Sequence, residues 1–531
     1  MAALPVECLF DVFKHVDDIK TLHSIVLTNR TWCHEAIHLL WNDPFQPTKK
    51  KNRNIYKIIT ILLSYIPVGC KSFLKVNKKR LNIPKTTTFN YPLFIKNIDF
   101  ATLFSSIHQW IKKNHRARPK LREDYFVNNV SEYATFFEFD DYFDVWEQEK
   151  LAFAQAIFNV ILDNSSSIKK LLICLPDNSD YLSSCLGAYF DELFTTPEAI
   201  QHLSKLEHFE CSGNFLKADF IRGVMEYACN IKTLSIELSE DDYEPIEQLS
   251  LGISKQKSLE ALCLICNDDD DVTEIFTSLN GVSGSLQSLE VTNGILDSDL
   301  SSEYLERCIQ LKNLAFTNLD VFGDKKPFVN VVFPHLETFS FTDTYFELES
   351  DIQEDHHCEI ITQIIQNNGR SLNSLSILVY LNICPSFPNI ILQNCQNLRQ
   401  FIVRISSFEL IPCLFDILRE CKNIETLCIL ATSSEEIIVV DKFMTEFTQL
   451  LQSKLRFLDI TGWAFGQKQF IKLLDCWSGP SGSLKCNVKD IKDDKNFRIS
   501  IKKHIRIGNR TLTNSKFKRI GRYWLVDMEW H

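Results

Sequence analysis

A six-residue pattern with apolar side chains at its first, fourth and sixth positions recurs about eleven times, at a mean spacing of about 29 residues. It reads Ile168/Leu171/Ile173, Leu206/Phe209/Cys211, Ile231/Leu234/Ile236, Leu259/Leu262/Leu264, Leu286/Leu289/Val291 and Leu311/Leu314/Phe316. It continues through Leu336/Phe339/Phe341, Leu372/Leu375/Ile377, Leu398/Phe401/Val403, Ile424/Leu427/Ile429 and Leu455/Leu458/Ile460. A unit of this size cannot bury its own apolar side and must stack on its neighbours. At 531 residues the length alone would suggest about three or four globular domains. A repeat array overrides that count, because it grows without a single core.

The fold class is therefore α/β. In each unit the apolar-alternating segment predicts a short parallel strand, and the mixed stretch after it, as from Asp297 to Cys308, a helix. Neighbouring strands lie about 4.8 Å apart, whereas packed helices need about 8–10 Å. The array is expected to curve, with strands on the concave face and helices outside. Period-two alternation sends the repeated leucines into the core and the residues between them onto the concave face. In the middle of the array those residues are small hydroxyls, such as Thr338/Ser340/Thr342. Toward the C-terminus Leu378, Ile402, Leu430 and Phe457 make an apolar series with Arg404 among them. These five are the candidate target-binding residues, unless the C-terminal segment folds over this end. In period and pattern the array resembles leucine-rich repeats, and Asn214 and Asn267 fall where that repeat often carries asparagine.

The chain ahead of the array is organised differently. Pro5 suits the first turn of a helix, where its missing N–H costs nothing. Leu9, Val12, Phe13 and Val16 then recur at helical steps. Leu22, Ile25 and Val26 start a second stripe, and Ala36, Ile37, Leu40 and Trp41 a third. Three helices this short cannot bury both sides of their stripes, so a partner helix is expected. Residues 1–45 form this module and 46–165 a helical connector, opened by Pro44 and Pro47. The connector has helical candidates at 52–66, 97–114 and 146–162, and room for one or two repeats too worn to detect. The repeats proper run over 166–478. Gly479-Pro480-Ser481-Gly482 then marks a loop before a cap at 479–531, with a closing strand suggested by Ile520, Tyr523, Trp524, Val526 and Met528.

Charge and cysteine usage narrow the functional classes. The net charge is −11, unevenly spread. Acidic residues outnumber basic ones 27 to 7 between Ile231 and Ile360, while from Lys485 onward basic residues lead 13 to 5. Such blocks steer a charged partner or simply keep the surface soluble. No cleavable leader is expected ahead of the first stripe, and the apolar run Ile55 to Ile66 is too short to span a bilayer. With 18 irregularly spaced cysteines, the expectation is reduced thiols in a cytoplasmic or nuclear protein, with no membrane contact.

Several motifs invite chemistry that their context does not support. His34-Glu35-Ala36-Ile37-His38 matches the H-E-x-x-H zinc pattern, but it lies inside the third N-terminal stripe and lacks a further ligand nearby. Cys263-Leu264-Ile265-Cys266 has no second pair at zinc spacing. His356-His357-Cys358 falls in an acidic stretch read as a solvated loop. Lys49-Lys50-Lys51-Asn52-Arg53 has no interleaved aromatics for base stacking, so no nucleic acid is expected. No phosphate-binding loop or nucleophile elbow is present. The chain is expected to be non-enzymatic and to need no cofactor or metal.

The leucine-proline start, the short amphipathic stripes and the Trp32 and Leu40-Trp41 ending together resemble the F-box. An F-box followed by leucine-rich repeats is the layout of the F-box/leucine-rich-repeat receptors, with a looser likeness to fungal F-box-type proteins. That resemblance implies docking on a Skp-type adaptor, and through it association with cullin and RING subunits of an SCF ubiquitin ligase. It also implies that the repeats hold a target protein. Carried onto this chain, Leu4, Pro5, Leu9, Val12, Phe13, Leu22 and Val26 contribute to the adaptor contact. The alternative is a scaffold or regulator that binds the adaptor, or other proteins, without ubiquitination.

Overall fold

The computed structural model describes residues 5–16, 18–46, 55–66, 83–114, 145–174, 187–190, 192–194, 196–213, 218–238, 244–322, 328–343, 351–379, 386–405, 410–431, 438–441, 443–451, 454–476, 482–489, 491, 497, 499, 501, 512–520 and 523–530. Its contacts divide the chain into two compact units, Met1–Glu260 and Ala261–His531.

The first unit opens with three helices, α1 (Val6–Lys14), α2 (Ile19–Val26) and α3 (Arg30–Leu40). Pro5 stands at the N-cap of α1. The Asp18 carboxylate accepts the Thr21 N–H at 2.9 Å and starts α2, and the Asn29 side chain accepts the Trp32 N–H at 2.9 Å and starts α3. Leu9, Phe13 and Ala36 form a small core, against which Ile25, Val26, Trp32 and Leu39 pack. The Phe13 and Trp32 rings meet edge-on at 5.3 Å.

Asn42 joins these helices to the sheet: its carbonyl accepts the N–H groups of Lys96 and Asn97, both at 3.0 Å. Helix α4 (Tyr56–Leu62) precedes strand β1 (Asn97–Asp99), which runs directly into α5 (Phe100–Asn114). Helix α6 (Val145–Asn164) then leads to β2 (Lys170–Cys174). After α7 (Pro197–Leu203) come β3 (His208–Ser212), α8 (Ala218–Tyr227), β4 (Thr233–Glu237) and α9 (Glu244–Ser254). The four strands pair in parallel in chain order, with Leu171, Phe209 and Leu234 in register and buried. Strand β1, in which Ile98 alone is buried, pairs ahead of β2 within the segment read as a helical connector. Behind the sheet, Phe100, Phe158 and Phe190 meet edge-on at 5.2–5.9 Å.

His202 stitches α6 to the sheet. Its Nε2–H donates to the Leu162 carbonyl at 2.8 Å, and its Nδ1 accepts the Ile168 N–H at 3.3 Å. One partner accepts and the other donates, so the neutral ring satisfies both, and burial holds the imidazole below its ordinary pKa.

The second unit repeats the arrangement. Its strands are β5 (Ala261–Ile265), β6 (Ser288–Thr292), β7 (Ile295–Asp297), β8 (Asn313–Thr317), β9 (Asp320–Phe322), β10 (Thr338–Thr342) and β11 (Ser374–Leu378). Further on come β12 (Gln400–Ile405), β13 (Thr426–Ala431), β14 (Ile438–Val439), β15 (Phe457–Gly466), β16 (Gly482–Lys489), β17 (Leu512–Ile520) and β18 (Tyr523–Trp530). The main sheet runs β5-β6-β8-β10-β11-β12-β13-β15-β16 in parallel, then β18 and β17 antiparallel. Between strands lie helices, among them α10 (Thr273–Ser278), α11 (Ser298–Leu305), α12 (Asp351–Asn368), α13 (Phe387–Asn394), α14 (Leu410–Glu420), α15 (Met444–Leu450) and α16 (Gln467–Cys476). Burial alternates along the strands as the repeat pattern demands: Leu289, Leu314, Phe339, Leu375, Phe401 and Leu427 are buried and in register. Phe276 and Phe328 from the crossovers pack on the strand residue Phe316. The protein is thus mixed α/β with a large parallel sheet, an arrangement compatible with leucine-rich repeats.

Two corrections concern the C-terminal end. Strand β16, with Leu484, Cys486 and Val488 buried, is a further parallel strand in the segment read as a cap. The expected closing strand is a hairpin, β17–β18, that extends the sheet edge-on rather than folding over its face. Between them the sheet also splits. Strand β13 pairs with β15 only as far as Cys428↔Asp459, and β15 then bulges between Ile460 and Ala464 to pair with β14. Gly462 makes that bulge at φ +93, where its missing Cβ leaves room for Ala431.

One feature of the repeats escaped the pattern. The residue just before each strand accepts paired backbone hydrogen bonds from the next repeat, as when the Lys169 carbonyl takes the N–H groups of Glu207 and His208, both at 2.9 Å. After the like-charged Lys96 and Lys169, the charged side chains at this position alternate in sign, with the uncharged Gln287 and Asn373 interposed. In the first unit Glu207 sits between Lys169 and Lys232, bonding the latter at 2.9 Å, and its carboxyl is pulled down to about 2. In the second unit Glu425 lies between Arg399 at 3.9 Å and Arg456 at 4.0 Å.

Candidate functional site

Two regions carry the candidate binding residues, one in each unit. In the N-terminal helices, Leu9, Phe13 and Leu22 are buried and Val26 packs against the core. These side chains shape the module from inside, and their effect on any docking surface is indirect. Pro5 is exposed, and Leu4 lies outside the described residues. Val12 is 56% exposed. Two neighbours that the sequence reading did not single out are also exposed: Val6 at 42% and Leu27 at 72%. Leu27 had a legible signal, since it is an apolar residue standing between the end of α2 and the capping Asn29. Val6, Val12 and Leu27 are thus apolar side chains left open to solvent on this helical cluster.

The H-E-x-x-H motif lies on α3, and its histidines are engaged separately. His38 packs its ring 5.0 Å from Phe10 and 6.3 Å from Phe94, and burial lowers its pKa. His34 pairs its Nδ1 with Glu35 Oε1 at 3.2 Å. Among the described residues, no group of three or more His, Cys, Asp or Glu side chains could hold a metal ion. Cys266 is buried and pushed up to about 12, far from a reactive thiolate. Buried thiols at Cys308 and Cys395 are likewise raised to about 12 by desolvation. The basic run at 49–53 lies outside the described residues. No helix among the described residues is long and apolar enough to cross a membrane.

His356-His357-Cys358 is corrected: it lies within helix α12, not in a solvated loop. His357 is buried, with Nε2 3.0 Å from the Leu319 carbonyl and Nδ1 3.3 Å from Asp343 Oδ2. Asp343 in turn donates its N–H to the Leu378 carbonyl at 3.2 Å and accepts from Arg404 at 3.4 Å. The histidine therefore fixes the end of β10 beside two of the candidate residues.

The second region is the face of the main sheet opposite the core, at β11 to β15. Leu378, Ile402, Arg404, Leu430 and Phe457 all alternate onto this face and are half-buried there. Arg404 stands directly opposite Leu430 in register, with Ile402 two residues before it on the same strand. Leu378 lies on the other neighbouring strand, one position past Ile377↔Val403. Leu378, Ile402 and Leu430 form a collar around the arginine stem. Phe457 is set apart: it is opposite Thr426, four residues before Leu430, hence about 13 Å along the strand axis. The five candidates are a compact group of four and one outlier, rather than one strip. Beside Phe457, Lys485 sits 5.8 Å over its ring and 4.0 Å from Asp459. A nearby cavity of about 20 Å³ between Phe387, Val403, Leu410 and Ile417 has hydrocarbon walls and no polar group to hold a water, so it is a packing gap.

No family model and no curated protein sequence matches the chain. Among solved structures, an internalin from Listeria monocytogenes is similar over 56% of this chain and 79% of its own, at 16% identity and a TM-score of 0.29.

Proposed function

We propose that this chain is a non-catalytic protein-interaction receptor, the substrate-recognition subunit of an SCF-type ubiquitin ligase. In this reading the three N-terminal helices dock a Skp-type adaptor and, through it, cullin and RING subunits. The β11–β15 face of the second unit holds the target. A proximity mechanism needs no catalytic residue, because effective concentration and orientation supply the gain.

The observation that carries the reading is the exposure of Pro5, Val6, Val12 and Leu27 on helices whose core is built by Leu9, Phe13 and Ala36. The test is co-purification with a Skp-type adaptor and cullin, comparing the wild type with Val12→Glu and Leu27→Glu. These surface changes leave the Leu9–Phe13–Ala36 core intact, so the variants should fold. Each is expected to weaken adaptor binding tenfold or more, since a charge replaces a side chain that would be buried. Wild-type protein that captures no adaptor would end the ubiquitin reading and leave an interaction scaffold. Capture of adaptor without cullin would favour the non-degradative regulator.

A further inference from the structure

We infer that the segment held by the β11–β15 face is extended, uncharged and anchored by aliphatic or aromatic side chains, so that its binding is insensitive to salt. The inference deepens the receptor reading and rests on it only for the claim that this face binds a protein. Three observations carry it.

The collar around Arg404 is hydrocarbon on every side that the register defines. Leu430 is directly opposite, Leu378 is on the other flank and Ile402 precedes it on β12. An arginine stem laid among three such side chains adds its own methylenes to the apolar surface.

The polar ends on this face are engaged within the protein. The Arg404 guanidinium donates to the Asp343 backbone carbonyl at 3.4 Å, while the Asp343 carboxylate faces His357 at 3.3 Å on the buried side of the sheet. Asp459 and Lys485 pair with each other at 4.0 Å. Lys485 and Lys516 both stand opposite Asp527 in register, so the row beyond continues with alternating sign. A charged partner would have to break such pairs or stack like charges against them. Complementarity therefore selects a partner that brings none.

The C-terminal hairpin leaves the collar clear. It joins the sheet edge-on at β16, beyond β13 and β15. On the other flank the face carries only small hydroxyls, Thr338, Ser340, Thr342, Ser374 and Ser376, which let an extended backbone approach.

The test uses the full chain and a displayed library of random dodecamer peptides as the probe. Panning on the wild type is expected to enrich peptides with two or more Leu, Ile, Val, Phe or Trp side chains and near-zero net charge. Their affinity is expected to change less than threefold between 50 and 500 mM NaCl. Leu430→Lys and Leu378→Lys, each checked for an unchanged melting curve, should each weaken binding tenfold or more. If one fails to fold, the other decides. Arg404→Met, which keeps the stem and removes the charge, should leave binding within threefold. Enrichment of acidic or basic peptides, a steep salt dependence, loss of binding in Arg404→Met, or indifference to both lysine variants would each overturn the inference. So would failure to enrich any peptide. Adaptor capture is scored separately: its loss with peptide binding intact refutes the ligase reading but not this face, and the reverse pattern refutes the face alone.

Discussion

Replacing Gly462 by alanine tests the split in the sheet. At φ +93 an L-residue incurs a backbone cost of about 1–2 kcal/mol. The added Cβ would also lie 2.4 Å from the Ala431 Cβ, where carbon atoms normally rest about 3.5–4.0 Å apart. Overpacking of that kind costs about 1–3 kcal/mol. Gly462→Ala should therefore destabilise the second unit by about 2–5 kcal/mol, the sum of the two terms. The two causes can be separated. Ala431→Gly removes the nearest atom and leaves the Ala431 nitrogen and Cα at 3.2 and 3.3 Å, contacts that a small shift relieves. That change alone should cost about 0.5–1 kcal/mol. In the double variant the steric part disappears while the backbone part stays, giving a favourable coupling of about 1–3 kcal/mol. Urea denaturation followed by circular dichroism on wild type, both single variants and the double variant measures it. Strictly additive effects would mean that Gly462 and Ala431 do not touch, and that the break after Cys428↔Asp459 has another cause.

Two further predictions concern titrating groups in the first unit. Glu207 is held down to about 2 by Lys169 and Lys232, so its stabilisation is complete above about pH 4.5 and is lost as the pH falls toward 2. Because both lysines are over two-fifths exposed, the contribution is discounted to about 1 kcal/mol. Glu207→Gln should cost that much at pH 7 and flatten the acid limb of a stability profile, and an unchanged acid limb would count against the ladder. His202 has a lowered pKa in the fold, so the unfolded chain takes up its proton first. Stability should then decline as the pH drops below about 6.5. His202→Ala orphans the Ile168 N–H and the Leu162 carbonyl, for an expected loss of about 2–4 kcal/mol. Hydrogen exchange at the Ile168 amide should accelerate in the variant at pH 7, and in the wild type at pH 5.5.

What was legible in the sequence follows from which forces are periodic. The apolar positions of the strands read correctly from Ile168 to Ile460, because burial on one side of a strand imposes a strict period of two. The N-terminal helices were legible from apolar residues at three- and four-residue steps, whereas their caps, Asp18 and Asn29, were not singled out. Strand β1 was hidden because three residues show one apolar position only, and β16 because Gly479 to Gly482 signalled a loop just before it. The exposed or buried state of Leu9, Phe13 and Leu22 could not be read, since a stripe that fills its own small core looks like one that waits for a partner. His357 was misplaced because acidic neighbours suggested solvent, whereas its ring faces Phe341 at 5.2 Å on the inner side of α12. On the candidate face, alternation identified the right side of every strand. Register decided which residues meet, and it separated Phe457 from the collar around Arg404.

The alternating side chains before the strands give the array a parity. Lys312, Glu337, Arg399, Glu425 and Arg456 occupy one position of successive repeats, with the uncharged Asn373 between Glu337 and Arg399. Deleting the single repeat that carries Glu425 would bring Arg399 onto Arg456 and set two guanidinium groups against each other. Deleting that repeat together with a neighbour would set Arg399 against Gly482, or Asn373 against Arg456, so no like charges would meet. Gain or loss of repeats in pairs is therefore electrostatically silent along this edge, whereas a single step is not. A family of such chains should drift in length by even numbers of units, or should show a neutral residue like Asn373 at the seam where an odd step was taken.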